Sequence, residues 1–149
     1  MSKIENQIKE MYEKVFYEII DETVSSDNPD YVWIIKLYTE IKERLLKFIK
    51  KDSKVYKQID EEFDIELFQQ MIENDVFDNN SLIKLINTAF YWVKFLGAPV
   101  RDKNVEESKN RVLTSDPSKV ISTFIKEINI CIDYIDEDII NFIKETKGL

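Results

Sequence analysis

The sequence has no histidine, one cysteine and two glycines among its 149 residues. Without histidine, Ser-His-Asp and Cys-His catalytic arrangements are excluded. The commonest general base is also missing. One cysteine can form neither an internal disulfide nor a cysteine-based zinc site. Gly97 and Gly148 are too far apart in the chain for a P-loop or a G-x-G-x-x-G fingerprint. We therefore predict a protein that is not an enzyme, with no catalytic residues, no metal ligands and no cofactor.

Carboxylates are the reactive groups that remain. They are concentrated at one predicted helix boundary and on the predicted last helix: Asp60, Glu61, Glu62, Asp64 and Glu66, then Asp133, Asp136, Glu137 and Asp138. Either group could bind calcium or magnesium, so a carboxylate-dependent metal-binding protein or enzyme is the alternative hypothesis. Residues 75–81 lack the Asp/Asn alternation and the glycine of an EF-hand loop. Solvated helix faces and helix caps are the interpretation that we favour.

The overall charge is strongly acidic, at −8 with a pI near 4.7. Such a field repels nucleic-acid backbones and anionic membranes. The first 14 residues carry charges throughout, unlike a signal peptide, and no uninterrupted run of about 18 apolar residues is present to span a bilayer. We predict a cytoplasmic protein that binds neither nucleic acid nor membrane.

Basic and acidic residues occupy neighbouring segments. Eight basic residues lie from Lys36 to Lys57, whereas eight acidic and no basic residues lie from Gln58 to Ile83. We expect helix faces of opposite charge that pack against each other. A dedicated site for an anionic partner is the alternative.

The composition favours an all-α fold. Few glycines and three prolines leave little turn material for many short strands, and 44% hydrophobic residues suffice for a globular core. We predict a single-domain bundle, residues 1–149, of about six or seven helices. Residues 82–96 are apolar on nearly every side of a helix, with a thin polar stripe at Lys84, Asn87, Thr88 and Lys94, which predicts a buried central helix.

Capping residues predict where the helices begin and end. Gly97 in a left-handed conformation would end the central helix, and Pro99 would prevent its continuation. The other predicted helices, each with its capping signal, are Lys3–Val24 (Ser2 and Glu5), Pro29–Lys51 (Asn28), a short helix to Glu61 (Asp52 or Ser53), one to Asn74 (Asp64), one of about ten residues to Leu113 (Asn104 and Glu107), and a last helix of about 30 residues (Ser115, Asp116 and Pro117). Val76 and Phe77 are expected beneath the central helix.

Aromatic residues have two interpretations. Trp33, Tyr91 and Trp92 could be interface anchors, but at helical spacing we favour a place in the core. Tyr91 has the least secure core assignment because it lies near the polar stripe. Cys131, between Ile128 and Ile132, is expected in the core. The possible partner surface consists of Lys47, Lys50, Lys51 and Tyr91.

Residues 67–105 carry a family resemblance, centred on the corner Leu96-Gly97-Ala98-Pro99-Val100-Arg101-Asp102 after the hydrophobic helix. With the upstream segments 38–49 and 63–78 and the hydrophobic helix from Val120, this order resembles the T-complex protein 11 family. The family domain is usually several hundred residues long, and the chain would correspond to its N-terminal half. The resemblance implies a helical adaptor with a protein partner, in signalling of the cAMP and protein kinase A type. It supplies no catalytic residues.

The corner motif, Ala98, Pro99, Val100, Arg101 and Asp102, is the candidate binding site. We expect Arg101 to fold back onto the carbonyls of the central helix or onto an acidic partner, and Asp102 to cap or brace the next helix. A plain helix-to-helix connector is the simpler interpretation. The chain would be a monomer or a homodimer, and a homodimeric structural protein is a further alternative.

Overall fold

The computed structural model describes residues 2–25, 31–74 and 78–147, without the side chains of residues 23–25. These ranges contain helices and no strand, so the all-α prediction is confirmed. The α-helices are α1 (Lys3–Ser25), α2 (Tyr31–Leu46), α3 (Lys54–Glu62), α4 (Ile65–Glu73), α5 (Asn79–Leu96), α6 (Asp102–Leu113) and α7 (Val120–Lys147). Short 3₁₀ helices, Pro99–Arg101 and Pro117–Lys119, precede α6 and α7.

Side-chain caps begin three of the helices; Ser53 and Asp64 were predicted as caps, whereas Asp78 was not. Ser53, Asp64 and Asp78 accept hydrogen bonds from the backbone N–H groups of residues 56, 67 and 81, at 3.1, 3.0 and 2.9 Å. Asp116 accepts the N–H of Ser118 at 3.0 Å ahead of α7. Each cap satisfies an N–H group that has no partner within the helix.

The long last helix is also the element that most of the bundle packs against. α7 has 28 residues and contacts α1, α2, α5 and α6. Its buried apolar residues, among them Phe124, Ile128 and Ile132, belong to the same core cluster as those of α5. Within the described residues, no helix is long and apolar enough to cross a membrane.

α5 lies in the core along one side only. Ile86, Ala89, Phe90, Trp92 and Val93 are buried, as the hydrophobic segment predicted. Three apolar residues on its other side, Ile83, Tyr91 and Phe95, are exposed together with Lys84, Asn87 and Lys94. α5 therefore joins the core to an outer face that is partly apolar.

Gly97 ends α5, but not in the predicted left-handed conformation. Its φ of −84° and ψ of 170° are extended. Its N–H donates to the carbonyl of Val93 at 3.0 Å, and a Cβ at this position would lie 2.9 Å from the same oxygen. Glycine is required here for a close approach of backbone to backbone.

Two other predicted boundaries are wrong. α2 ends at Leu46 rather than Lys51, because Phe48 and Ile49 turn inward through bonds to the carbonyls of Leu45 and Leu46 and pack against the core. Asn104 does not cap α6, which begins at Asp102 directly after the 3₁₀ turn. The predicted cap at Asn28 and Pro29, and the predicted burial of Val76 and Phe77, lie outside the described residues.

Candidate functional site

Arg101 connects the corner to α7. Its Nε and Nη2 donate to the two carboxylate oxygens of Asp138 at 3.2 and 3.0 Å. Its guanidinium carbon lies 4.4 Å from the centre of the Tyr134 ring, and Glu137 is 3.9 Å from Nη2. The hydrogen bond with Asp138 raises the pKa of Arg101 above its ordinary value. Arg101 was expected to bind either the carbonyls of the central helix or an acidic partner. In the structure it binds an acid, Asp138 of α7.

Asp102 occupies the first turn of α6. The residue before it, Arg101, holds the N-cap position, and no side-chain hydrogen bond caps this helix. A carboxylate in the first turn still interacts favourably with the helix dipole. The contribution of Asp102 is thus electrostatic rather than that of a hydrogen-bonding cap.

The remaining corner residues differ in exposure. Ala98 is half-buried, whereas Pro99 and Val100 are exposed, Val100 by 81%. The 3₁₀ turn from Pro99 to Arg101 directs Arg101 inward to α7 while leaving Val100 outward. A partner at the corner would therefore meet Pro99 and Val100 first.

An aromatic cluster covers the outer face of α5. Tyr91 and Phe95 are 58% and 56% exposed, and their rings stack with centres 6.3 Å apart. The buried Trp92 meets both edge-on, at 5.0 and 5.3 Å, and its indole N–H donates to Glu62 of α3. The exposed pair is therefore supported by a ring that is held in place.

A shallow groove runs beside this cluster, between the end of α3 and α5. It is lined by Glu62, Asn80, Ile83, Lys84, Asn87, Thr88 and Tyr91. Its walls contain acidic, basic, amide and apolar side chains. A polypeptide segment, which offers both polar and apolar groups, could bind in such a groove. We call Ile83, Tyr91, Phe95 and this groove the α5 face.

The predicted partner surface is divided between two places. Lys47, Lys50 and Lys51 are exposed in the turn before α3, whereas Tyr91 lies on the α5 face beside Glu62, at the far end of α3. Nine residues of α-helix separate these ends by about 14 Å. The basic turn and Tyr91 are two patches rather than one.

The charged segments meet in part as expected. Lys42 on α2 forms an ion pair with Asp60 on α3 at 2.9 Å. Arg44, from the same basic segment, turns instead to α7, where it donates to Asn129, Asp133 and Asp136 at 2.7, 2.8 and 3.1 Å. The basic segment therefore pairs with two different acidic regions.

The carboxylates of α7 are engaged by arginines. Arg44 binds Asp133 and Asp136, and Arg101 binds Asp138. Over the described ranges, no three His, Cys, Asp or Glu side chains are grouped so that they could hold a metal ion. The carboxylates of α7 therefore form ion pairs between helices, which favours a structural role over the metal-binding hypothesis.

A buried polar cluster between α6 and α7 was not predicted from sequence. Glu127 accepts two bonds from Arg111, at 2.9 and 3.1 Å, and one from the buried Ser108 at 2.9 Å. Burial raises the pKa of Glu127, but the bonds from Arg111 and Ser108 outweigh it, and the net pKa is lowered. Cys131 is buried, as expected, and burial raises the pKa of its thiol.

Comparisons with known proteins agree with the resemblance. The family model described as T-complex protein 11 matches residues 1–143. T-complex protein 11 of Mus musculus is 29% identical over 121 residues, and the T-complex protein 11 homolog of Rattus norvegicus is 30% identical over 121 residues; each match covers 80% of this chain and 20% of the relative. The T-complex protein 11 homolog of Homo sapiens is 28% identical over 110 residues, 73% of this chain and 21% of its own.

This chain spans about a fifth of the length of these relatives. No solved structure matches it. The family match extends over nearly all of the helical architecture, from α1 into the last turns of α7. The chain belongs to the T-complex protein 11 family.

Proposed function

We propose that this chain is a non-enzymatic adaptor that binds a protein partner through the α5 face. The observation that carries the proposal is the exposure of Tyr91 and Phe95, each more than half accessible in a stacked pair. Large aromatic side chains are enriched in binding hot spots, because they bury a large area while losing little side-chain entropy.

Local support favours this face over other exposed apolar residues. Trp92 lies beneath the pair, and its bond to Glu62 ties the aromatic cluster to α3. A preorganised surface binds with a smaller entropic cost than a mobile one. The adjacent groove supplies Lys84 and Glu62 as polar contacts at its rim.

The corner and the basic turn are secondary parts of the proposal. Val100 offers an exposed apolar side chain, and Lys47, Lys50 and Lys51 offer positive charge to an acidic segment of the partner. Arg101 holds the corner against α7 and so positions Val100.

The family resemblance supports a signalling role. Its members are associated with cAMP and protein kinase A pathways, and we assign the chain to the same kind of pathway, in the cytoplasm. The partner is therefore expected to be a protein, with no nucleic acid or membrane involved.

The test compares paired variants in affinity capture from lysate of the source cell. Tyr91→Ser with Phe95→Ser should abolish recovery of the partner, and purified partner should bind the variant at least about tenfold more weakly, because two hot-spot side chains are lost. Tyr12→Ser is the matched control, since Tyr12 is an exposed aromatic residue on α1.

Equal binding by the wild type, the double variant and the Tyr12→Ser control would refute the α5 face as the contact. Direct titration with the subunits of protein kinase A tests the pathway separately. Binding of a different protein, with the same dependence on Tyr91 and Phe95, would leave the adaptor proposal standing and remove the assignment to that pathway.

A further inference from the structure

A buried tyrosine borders a pocket between α4 and α5. Tyr38 of α2 is 7% exposed, and its ring packs against those of Phe63 and Phe68, with centres 5.5 and 4.8 Å apart. Its hydroxyl forms no hydrogen bond with any residue that the structure describes. Buried polar groups in proteins are almost always paired, so an unused hydroxyl on a ring that is held in place indicates a binding site.

The hydroxyl of Tyr38 faces the acidic end of this pocket. The cavity on the other side of the ring, beside Ile34 and Phe124, is lined almost entirely by apolar atoms. The pocket between α4 and α5 instead includes Glu62 and Asp64. Burial raises the pKa of Tyr38, and the charge of Asp64 raises it further, which places the hydroxyl near that carboxylate. The hydroxyl therefore stays protonated and lies beside the acids.

Three oxygen atoms at this end of the pocket are available as acceptors. Oε2 of Glu62 accepts the indole N–H of Trp92, and Oδ1 of Asp64 accepts the backbone N–H of Leu67. The second oxygens of these carboxylates, Oε1 and Oδ2, form no hydrogen bond within the described part of the chain. With the hydroxyl of Tyr38, they give the pocket three acceptors that the described residues leave unused.

The charge around these acceptors is negative. Neither Glu62 nor Asp64 forms an ion pair with a described residue, and Lys84 in the opposite wall is exposed and pairs with neither acid. Residues 58–83 contain eight acids and no base. A carboxylate from a partner would be repelled here, whereas a cation would gain charge-assisted hydrogen bonds.

An apolar wall leads to the acceptors. Leu67, which is 52% exposed, and the half-buried Met71 line the pocket together with Leu85. The volume of the pocket is about 230 Å³, which is below the roughly 300–1,000 Å³ of sites for free small molecules. A single long side chain suits this volume better. Lysine combines an apolar stem with three N–H donors at its end, which matches both the wall and the acceptors.

We propose that this pocket binds a lysine side chain of the protein partner. The inference rests on the proposed function, because Glu62, Lys84 and Thr88 line both the pocket and the groove of the α5 face. A segment that lies across Tyr91 therefore reaches the pocket directly. The lysine stem packs on the apolar wall, and its ammonium group donates to the three unused acceptors.

Titration of the full chain with Nα-acetyl-lysine N-methylamide tests the pocket directly. Backbone ¹H–¹⁵N correlation spectra should show saturable shifts at residues that line the pocket, among them Leu67, Lys84 and Thr88. The Nε-acetylated form of the probe has the same stem without the charge. It should bind at least about tenfold more weakly, because the charge-assisted hydrogen bonds are lost.

Tyr38→Phe removes the hydroxyl and keeps the ring. It should weaken binding of the probe about threefold or more, because one hydrogen bond is lost. The melting temperature should stay unchanged, since the hydroxyl has no hydrogen-bond partner among the described residues. A lower melting temperature with an unchanged affinity for the probe would make the hydroxyl structural and remove it from the proposed site.

Glu62→Gln with Asp64→Asn removes both negative charges. The new amide oxygens can still accept the hydrogen bonds from Trp92 and Leu67, because asparagine is also a good N-cap. The affinity for the probe should fall at least about tenfold. Glu66→Gln is the matched control, since Glu66 is an exposed acid of α4 that does not line the pocket, and it should leave the affinity unchanged.

The proposed function and the lysine pocket can fail separately. Tyr91→Ser with Phe95→Ser should bind the probe as the wild type does, so recovery of the partner by that variant reports on the aromatic pair alone. Shifts that do not saturate, or an affinity that Glu62→Gln with Asp64→Asn leaves unchanged, would overturn the pocket and leave the α5 face standing. Full recovery of the partner by the variant that no longer binds the probe would show that the partner does not use the pocket.

Discussion

Arginine side chains from three different elements converge on α7. Arg44 comes from α2, Arg101 from the 3₁₀ turn at the corner and Arg111 from α6. The first two engage acids that the sequence offered as possible metal ligands. At the scale of single residues, the charge of α7 therefore serves to join helices.

Arg101→Ala should lower the melting temperature, because it removes two charge-assisted hydrogen bonds to Asp138 and the contact with Tyr134. Thermal unfolding followed by circular dichroism measures the effect. Lys103→Ala, an exposed cation two residues on, is the control and should change melting less. Equal melting of the two variants, with partner binding lost only in Arg101→Ala, would make the corner a binding site rather than a connector.

Glu127→Gln should destabilise the fold by about 1 to 3 kcal/mol at neutral pH, because the buried carboxylate loses its charge-assisted hydrogen bonds with the half-exposed Arg111. The folded-state pKa of Glu127 lies below its ordinary 4.5. Its contribution is therefore present above that value and is lost as the pH falls through the folded-state pKa.

Urea unfolding at pH 7 and at successively lower pH checks this prediction. The free energies of unfolding of the wild type and Glu127→Gln should converge as the acid side of pH 4.5 is reached. Arg111→Ala should also lower the free energy of unfolding at pH 7, because it removes the hydrogen-bonding partner of Glu127. A difference that stayed constant with pH would show that ionisation of Glu127 contributes nothing to stability.

At the scale of the elements, helix starts were predicted where a side chain could bind the backbone within three residues. Ser53 and Asp64 cap their helices in this local way, as predicted, and Asp78 caps α5 in the same way although it was not predicted. The start of α6 was missed, because the 3₁₀ turn after Pro99 leads directly into the helix and makes a side-chain cap unnecessary. Local chemistry predicts a cap, but not whether the backbone uses it.

Asp64→Ala and Asn104→Ala compare a predicted cap that forms with a predicted cap that does not form. Asp64→Ala should cost about 1 kcal/mol of stability, since the N–H of Leu67 loses its acceptor. Asn104 lies inside α6, so alanine there should be neutral or slightly stabilising. Chemical denaturation of both variants is the measurement. A loss of similar size at Asn104 would restore it as the cap.

At the scale of the whole molecule, α7 and α5 share one core and leave different apolar surfaces outside it. The α5 face presents aromatic residues, whereas the end of α7 presents isoleucines and Phe142. The first is the surface that we propose for a protein partner.

Excess calcium, magnesium or manganese should leave the melting temperature unchanged, because the acids of α7 are already paired with arginines. Thermal scans with each ion and with chelator make the comparison. A bound ion present at about 100 times its dissociation constant would add about 2.7 kcal/mol to the stability. A rise of that size with one ion would revive the metal-binding hypothesis.

The sequence by itself determined the helical class, the capped starts of α3 and α4, the long last helix and the family. These properties follow from periodicity, composition and short-range hydrogen bonding, which act within a few residues. It also indicated Tyr91 as the aromatic residue least secure in the core, and Tyr91 is exposed.

Only the tertiary structure decided which acids meet which arginines and which side of α5 faces outward. Arg44 lies 89 residues from Asp133, and Arg101 lies 37 residues from Asp138. Such pairs depend on how whole helices pack, and no local pattern encodes them. The extended conformation of Gly97 has the same origin, because it follows from the path between α5 and α6. Burial is decided by the neighbours that an assembled helix acquires, which is why an apolar segment such as residues 82–96 can keep an exposed face.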